Sequence, residues 1–287
     1  FYFLAMLSKE VVVFVVPFLI LSLDVLFFKK KVWFVRDISR IKEYALLGVP
    51  FCIYLFMRVA VLGRLGGIES QEDYLGGFSA VERIYTVFAL FAYYFKEMLF
   101  PVQLLFFHDF QIRDTLLHPV FLLSVIVFAG FLCILRLSVK NKEPIITLAL
   151  IWIVIFFLPT LVFFNIAGKN VFAERYLFGP NIGLALIGSI LLSRMWSSKE
   201  VVLFGRRNFQ GVLGKNGTAL RRDIVIAGIV GLVLFSWIMV FPRNEVWRTN
   251  EVLFETTLQQ NPNANHIREY FAQDYKSSGN WEAAREQ

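Results

Sequence analysis

Charged residues are scarce in this 287-residue chain, where they make up 18% of the sequence, against about 25% in an ordinary soluble domain. There are only two cysteines and three histidines, so neither a disulfide framework nor a zinc site is visible. Hydrophobic residues reach 57%, and 32 of the residues are phenylalanine. This composition excludes a disordered chain and argues against a soluble globular enzyme.

The apolar residues form continuous blocks, close to the roughly 20 residues that a spanning helix needs. Because the blocks lack a period of two, strands are a poor explanation. The sequence therefore predicts an all-α, polytopic transmembrane helix bundle over residues 1–242, with a linker helix and the start of a repeat domain over 243–287. The seven candidate membrane helices cover 11–28, 44–62, 81–100, 116–135, 145–164, 176–193 and 224–241.

The net charge of +7 is concentrated in two loops. Residues 29–43 carry six basic residues against two acidic ones, residues 194–223 carry seven against two, and the rest of the chain is net −2. The positive-inside rule places both loops in the cytoplasm, where they can contact anionic lipid headgroups. The basic excess thus sets orientation and does not indicate a nucleic-acid partner.

Two loops on one side must be separated by an even number of crossings, yet five candidate helices lie between them. The weakest is 81–100, which contains Arg83, Lys96 and Glu97. We expect it to lie along the outer surface or to re-enter; alternatively it crosses and 102–107 returns part of the way. Residues 63–80, 101–115, 165–175 and the chain after Pro242 are then outside, and 136–143 are cytoplasmic.

One cluster of polar residues stands where an outside loop enters a helix: Lys169, Glu174, Arg175 and Tyr176. The planar guanidinium suits phosphate oxygens, and tyrosine suits a sugar or lipid headgroup at the interface. Arg58, near the outer end of its helix, could hold a phosphate or extend to the headgroups. An ordinary juxtamembrane charge cluster remains the alternative for the whole set.

Four further residues are candidates for the rim of a pocket. Lys9 and Glu10 occupy a turn between apolar segments, and His108 and Asp109 lie in the loop PVQLLFFHDF. A histidine beside a carboxylate can act as a base with its orienting partner, but adjacent residues seldom point at one target, so a plain loop is favoured. A divalent metal is not implied, since no further ligands lie nearby.

After Pro242 the composition becomes that of a soluble domain. Val246, Leu253, Phe254 and Leu258 predict an amphipathic helix over about 245–260. Residues 265–287 have the spacing of a tetratricopeptide repeat, with Gly279 at its turn. In the membrane domain, Gly179 and Gly183 form a small-xxx-small pair, for which helix packing is a sufficient explanation.

The chain resembles the transmembrane and tetratricopeptide-repeat-containing (TMTC) family and its bacterial relatives in the order of four segments. These segments are LAMLSKE, LFPVQLLFFHDF, FAERYLFGP and RNEVWRTNEVLFETTLQQNPNA. That family is similar to protein O-mannosyltransferases, glycosyltransferases of the GT-C fold. The resemblance implies transfer of a sugar, with mannose a candidate, from a polyprenyl-phosphate carrier to a protein or glycan hydroxyl outside the cytoplasm. It assigns donor or lipid-phosphate binding to Glu174, Arg175 and Tyr176, and the catalytic base to an acidic loop before residue 1.

The predicted protein is therefore multi-pass, in a bacterial inner membrane, with its repeats outside the cytoplasm. Its expected partners are membrane lipid, the lipid-linked sugar and a protein bound through the repeats. Two other functions stay open: a non-catalytic membrane-anchored repeat scaffold, and an O-antigen ligase or polymerase. A transporter fits less well, because no acid–base relay is evident within the membrane segments.

Overall fold

The computed structural model describes residues 1–9, 11–27, 38–63, 79–102, 105–108, 110–162, 171–197, 202–203, 206–207 and 217–286. These residues are overwhelmingly helical. The first seven α-helices are α1 Tyr2–Ser8, α2 Val12–Leu26, α3 Ile38–Leu62, α4 Ala80–Leu99, α5 Pro119–Lys140, α6 Pro144–Val162 and α7 Phe178–Ser197. The last four are α8 Gly217–Val246, α9 Asn250–Gln260, α10 Asn265–Ser277 and α11 Trp281–Glu286. A 3₁₀ turn, Glu174–Leu177, precedes α7, and Val202–Leu203 pairs antiparallel with Arg206–Arg207.

Five helices in the described part of the chain are long and apolar enough to cross a membrane, which fits a multi-pass integral membrane protein. Four of the five lie between the two basic loops, and an even number is what the positive-inside rule requires of two loops on one side. The charge distribution and the apolar helices therefore agree. The five segments are Tyr44–Val61, Pro119–Lys140, Pro144–Leu161, Glu174–Trp196 and Arg222–Val246.

Helix α4 is not among the five, and it packs beside α5 in the same direction. Its N-terminus is fixed by a capping box in which Ser79 and Glu82 exchange hydrogen bonds. The ring contacts then advance together along both helices: Tyr85 and Phe88 meet Phe121, at 6.1 and 5.6 Å between centroids, and Phe95 meets Phe131 at 6.0 Å. Helix α4 thus starts at the same end of the bundle as α5, and two rings in its C-terminal part, Tyr93 and Tyr94, pack against Phe172, two residues before Glu174.

Helices α6 and α7 pack closely because two glycines leave room for the facing side chains. A Cβ on Gly183 would lie 2.6 Å from the carbonyl oxygen of Ala149, and one on Gly179 would lie 2.0 Å from the Phe156 ring. Trp152 Nε1 also donates to the Gly179 carbonyl at 2.9 Å. The packing role predicted for this glycine pair is confirmed.

At the opposite end of these helices, an ion pair joins Arg194 near the end of α7 to Glu143 in the α5–α6 turn. Ser138 and Thr147 share a buried hydrogen bond of 2.9 Å beside it. The two segments for which the sequence predicts a cytoplasmic position therefore meet at one end of the bundle.

The helices around Pro242 differ from those that the sequence predicts. Helix α8 continues through Pro242 to Val246, and a separate helix starts at Asn250, whereas the sequence predicts one helix over 245–260. The reason is local: the Thr249 side chain accepts from the Val252 N–H and starts a new helix. Further on, α10 and α11 form a helix–turn–helix around Gly279, whose φ of +81° suits glycine.

Candidate functional site

Glu174 lies at the start of the 3₁₀ turn, and buried aromatic rings contact the two residues that precede it. The Tyr94 hydroxyl accepts from the Ala173 N–H at 3.3 Å, and the Tyr94 ring lies 4.5 Å from Phe172, which is buried. On the other side of the turn, Trp152 holds Gly179. Contacts on both sides therefore hold the turn that carries the Glu174 carboxylate, just before α7 begins.

Two donors from the 105–108 segment reach the same carboxylate oxygen. His108 Nε2 lies 2.9 Å from Glu174 Oε1, and the Leu105 N–H also donates to that atom. The His108 ring packs edge-on against Phe172, with 4.7 Å between centroids. Because the side chains of His108 and Glu174 are 16% and 23% exposed, the pair is partly shielded from solvent.

Arg243, near the end of α8, brings a positive charge to this carboxylate. It lies close enough to Glu174 for the two charges to interact. Its Nη2 atom is buried and has no hydrogen-bond partner among the described residues. Its guanidinium carbon lies 5.9 Å from the centre of the Trp247 ring, which is within cation–π range. The Arg243 side chain is half-buried as a whole, and its Nη2 edge is the part without a partner among the described residues.

Arg175 and Tyr176 directly follow Glu174 in the 3₁₀ turn. Arg175 is exposed and lies over the Tyr176 ring, with 5.2 Å from its guanidinium carbon to the ring centre. The Tyr176 ring packs against the apolar core on its inner side. The pair thus offers a second cation beside the Glu174 cluster, on a more accessible surface.

The other predicted site residues are distributed differently. Lys9 is exposed at the end of α1, and among the described residues it makes no ion pair with the cluster. Arg58 lies on α3, which packs against α1, and donates to the Tyr54 hydroxyl at 2.8 Å. Glu10, Asp109 and Lys169 lie outside the described residues.

The structure therefore brings together two of the predicted residues, His108 and Glu174, and adds Arg243. The sequence offers a signal for Arg243, because it opens the RNEVW junction and directly follows Pro242. That signal does not connect it to the cluster, since Glu174 lies far away in the chain. No group of three or more His, Cys, Asp or Glu residues that could hold a metal ion occurs in the described part of the chain.

Comparisons with known proteins add no relative. No protein-family model, no curated protein and no solved structure matches this chain. The structure defines the class as a multi-pass helical membrane protein with a polar cluster at one end of its bundle.

Proposed function

We propose that the protein acts as a membrane glycosyltransferase of the GT-C type. It would move a sugar, with mannose the first candidate, from a polyprenyl-phosphate carrier to a protein or glycan hydroxyl on the extracytoplasmic side. The observation that carries this proposal is the cationic donor at the end of the bundle, where Arg243 has a buried, unpartnered Nη2 beside the Glu174–His108 pair. A lipid-linked phosphate is an anion whose oxygens suit such a donor.

Each residue of the cluster has a role that its chemistry supports. Arg243 binds phosphate oxygens through its free N–H edge, and the exposed Arg175 adds a second positive charge. Glu174 neutralises part of the charge of Arg243, while His108 and the Leu105 N–H hold the carboxylate in place. Tyr176 supplies an aromatic surface for a sugar or headgroup at the interface.

The reaction itself would be a substitution at the anomeric carbon. The acceptor oxygen forms a bond to that carbon, the bond from the carbon to the phosphate oxygen breaks, and the acceptor proton passes to a general base. Arg243 and Arg175 stabilise the negative charge on the departing lipid phosphate. The resemblance assigns the base to an acidic loop and not to Glu174, so the role proposed for Glu174 is to balance part of the charge of Arg243.

The test is sugar transfer by the full-length protein in proteoliposomes, from radiolabelled short-chain polyprenyl-phosphate mannose, with the glucose and galactose analogues run in parallel. Arg243→Ala should reduce kcat/KM by about a hundredfold, because a hydrogen bond to a charged group contributes about 1.5–3 kcal/mol. Arg243→Lys should retain an intermediate rate. Arg175→Ala should also lose transfer.

Arg248→Ala is the matched control. Arg248 is 77% exposed in its side chain, lies one turn beyond Arg243 and pairs only at 3.6 Å with Glu245. Its loss should leave transfer unchanged. Full activity of Arg243→Ala would remove the role proposed for Arg243, and no transfer from any of the donors would count against the function itself.

A repeat scaffold without catalysis is the second candidate. It is favoured by the large side chains that the tail leaves on its surface, among them Trp281 at 63% exposed and Tyr270 at 42%. Exposed aromatic side chains of this kind are suited to binding another protein. A wild-type protein that binds a partner through the tail and transfers no sugar would support this alternative.

A further inference from the structure

The 105–108 segment lies between the Glu174 cluster and the soluble tail, and it contacts both. On the tail side, Phe107 is buried among α9 and α10, where it packs with Phe254, Ile267 and Phe271. Its ring lies 4.1 Å from the His266 ring. The Asn261 side-chain amide donates to the Phe107 carbonyl at 2.9 Å, across 154 residues of sequence. The tail therefore holds this segment by both backbone and side chain.

On the other side, the same segment supplies the donors to Glu174. The next residue, His108, contributes its Nε2, and Leu105 contributes its backbone N–H. Between them, Phe106 packs edge-on against Trp247, with 5.5 Å between centroids, and Trp247 also borders Arg243. Four consecutive residues thus connect the tail helices to the carboxylate and to the end of α8.

We infer that Phe107 and Asn261 are positioning residues, through which the tail helices hold the 105–108 segment in the place where His108 reaches Glu174. A change in the tail should then alter the Glu174 cluster, and, since coupling between two sites is reciprocal, a ligand bound at the cluster should alter the tail. The expected consequence for catalysis rests on the proposed function. The geometric coupling does not.

The test measures how readily the His108 ring reacts with diethylpyrocarbonate in the intact protein, resolved for each histidine by peptide mass spectrometry. In the wild type, the contact with Glu174 protects the ring. Asn261→Ala removes the donor to the Phe107 carbonyl and should speed modification of His108 by up to about tenfold, the range expected for one hydrogen bond. Glu174→Gln weakens the acceptor of the His108 hydrogen bond. It serves as the reference for the reactivity of a His108 ring without this contact.

Two controls separate positioning from a general loss of structure. Asn250→Ala removes an asparagine that joins α9 to α10 through Asp274 at 2.8 Å and does not contact the 105–108 segment. It should leave His108 protected. His118, whose ring nitrogen accepts from the Val120 N–H at the start of α5, should react equally in every variant.

Asn261→Asp is a second variant, needed because Asn261→Ala could also destabilise the C-terminal end of α9. It keeps the size of the side chain but turns an oxygen toward the Phe107 carbonyl, so His108 should again become reactive. Unchanged reactivity of His108 in both Asn261 variants, or an equal rise in Asn250→Ala, would overturn the inference. Because the assay needs no substrate, failure of sugar transfer with a responsive His108 would reject the proposed function alone.

Discussion

At the scale of single residues, α7 shows that the effect of replacing a glycine depends on the atoms that face it. Gly183 faces the Ala149 carbonyl and the Ile153 side chain, so a methyl group there has to move a backbone atom. Gly188 lies further along the same helix, and a Cβ added to it would meet no neighbouring atom within 4 Å. The two sites share a helix and a residue type and differ only in their neighbours.

Gly183→Ala should therefore destabilise the α6–α7 contact by about 1–3 kcal/mol, the usual range for overpacking. Gly188→Ala should be neutral or should stabilise by up to about 1 kcal/mol, because alanine is the better helix former. Thermal unfolding in detergent, followed by size-exclusion chromatography, measures both. Equal melting temperatures for the two variants would contradict the close α6–α7 packing.

Some of the residues that form the site could be predicted from the sequence. The ERY segment stands out because it places a carboxylate, a guanidinium and a tyrosine together where an outside loop enters an apolar helix. The contact between His108 and Glu174 was not predictable, since the neighbouring aspartate makes His108 resemble part of an ordinary polar loop. The role of Arg243 could not be predicted for a related reason. Its proximity to Glu174 depends on how α8 packs beside α7, and no local sequence pattern encodes that packing.

At the scale of elements, α4 is the most informative helix. It carries charges and is rich in tyrosine and phenylalanine, and these features predict a segment that does not cross. The structure packs its buried side, including Leu90 and Tyr94, into the bundle core. This packing is parallel to α5, and the contacts of Tyr93 and Tyr94 with Phe172 bring the C-terminal part of α4 close to the start of α7. Charge and hydropathy identify the helix as unusual, while its direction follows only from the ring contacts.

Labelling of single cysteines can test this arrangement. In a background of Cys52→Ala and Cys133→Ala, we expect Ser79→Cys and Thr115→Cys to react with an impermeant maleimide from the same side of sealed vesicles. Asn141→Cys, in the α5–α6 turn, should react only from the other side. Ser79→Cys and Thr115→Cys labelled from opposite sides would show that α4 crosses the membrane.

At the scale of the whole molecule, the tail and the membrane bundle share one apolar cluster. Phe107, from a loop of the bundle, is 8% exposed and completes a core whose other members belong to α9 and α10 and the turn between them. A single helix–turn–helix buries little apolar surface by itself. The bundle loop therefore contributes to the stability of the tail, just as the tail positions the loop.

Phe107→Ala should release the tail from the bundle. Removing a buried phenylalanine ring costs about 3 kcal/mol or more, which corresponds to roughly a hundredfold change in the docking equilibrium. Limited digestion with trypsin should then cleave after Arg268 and Lys276 much faster than in the wild type. Phe100→Ala is the matched control, because Phe100 is 63% exposed, and it should not change the cleavage rate. Unaltered cleavage in Phe107→Ala would mean that the tail is stable without the loop, and the shared cluster would then lose its structural role.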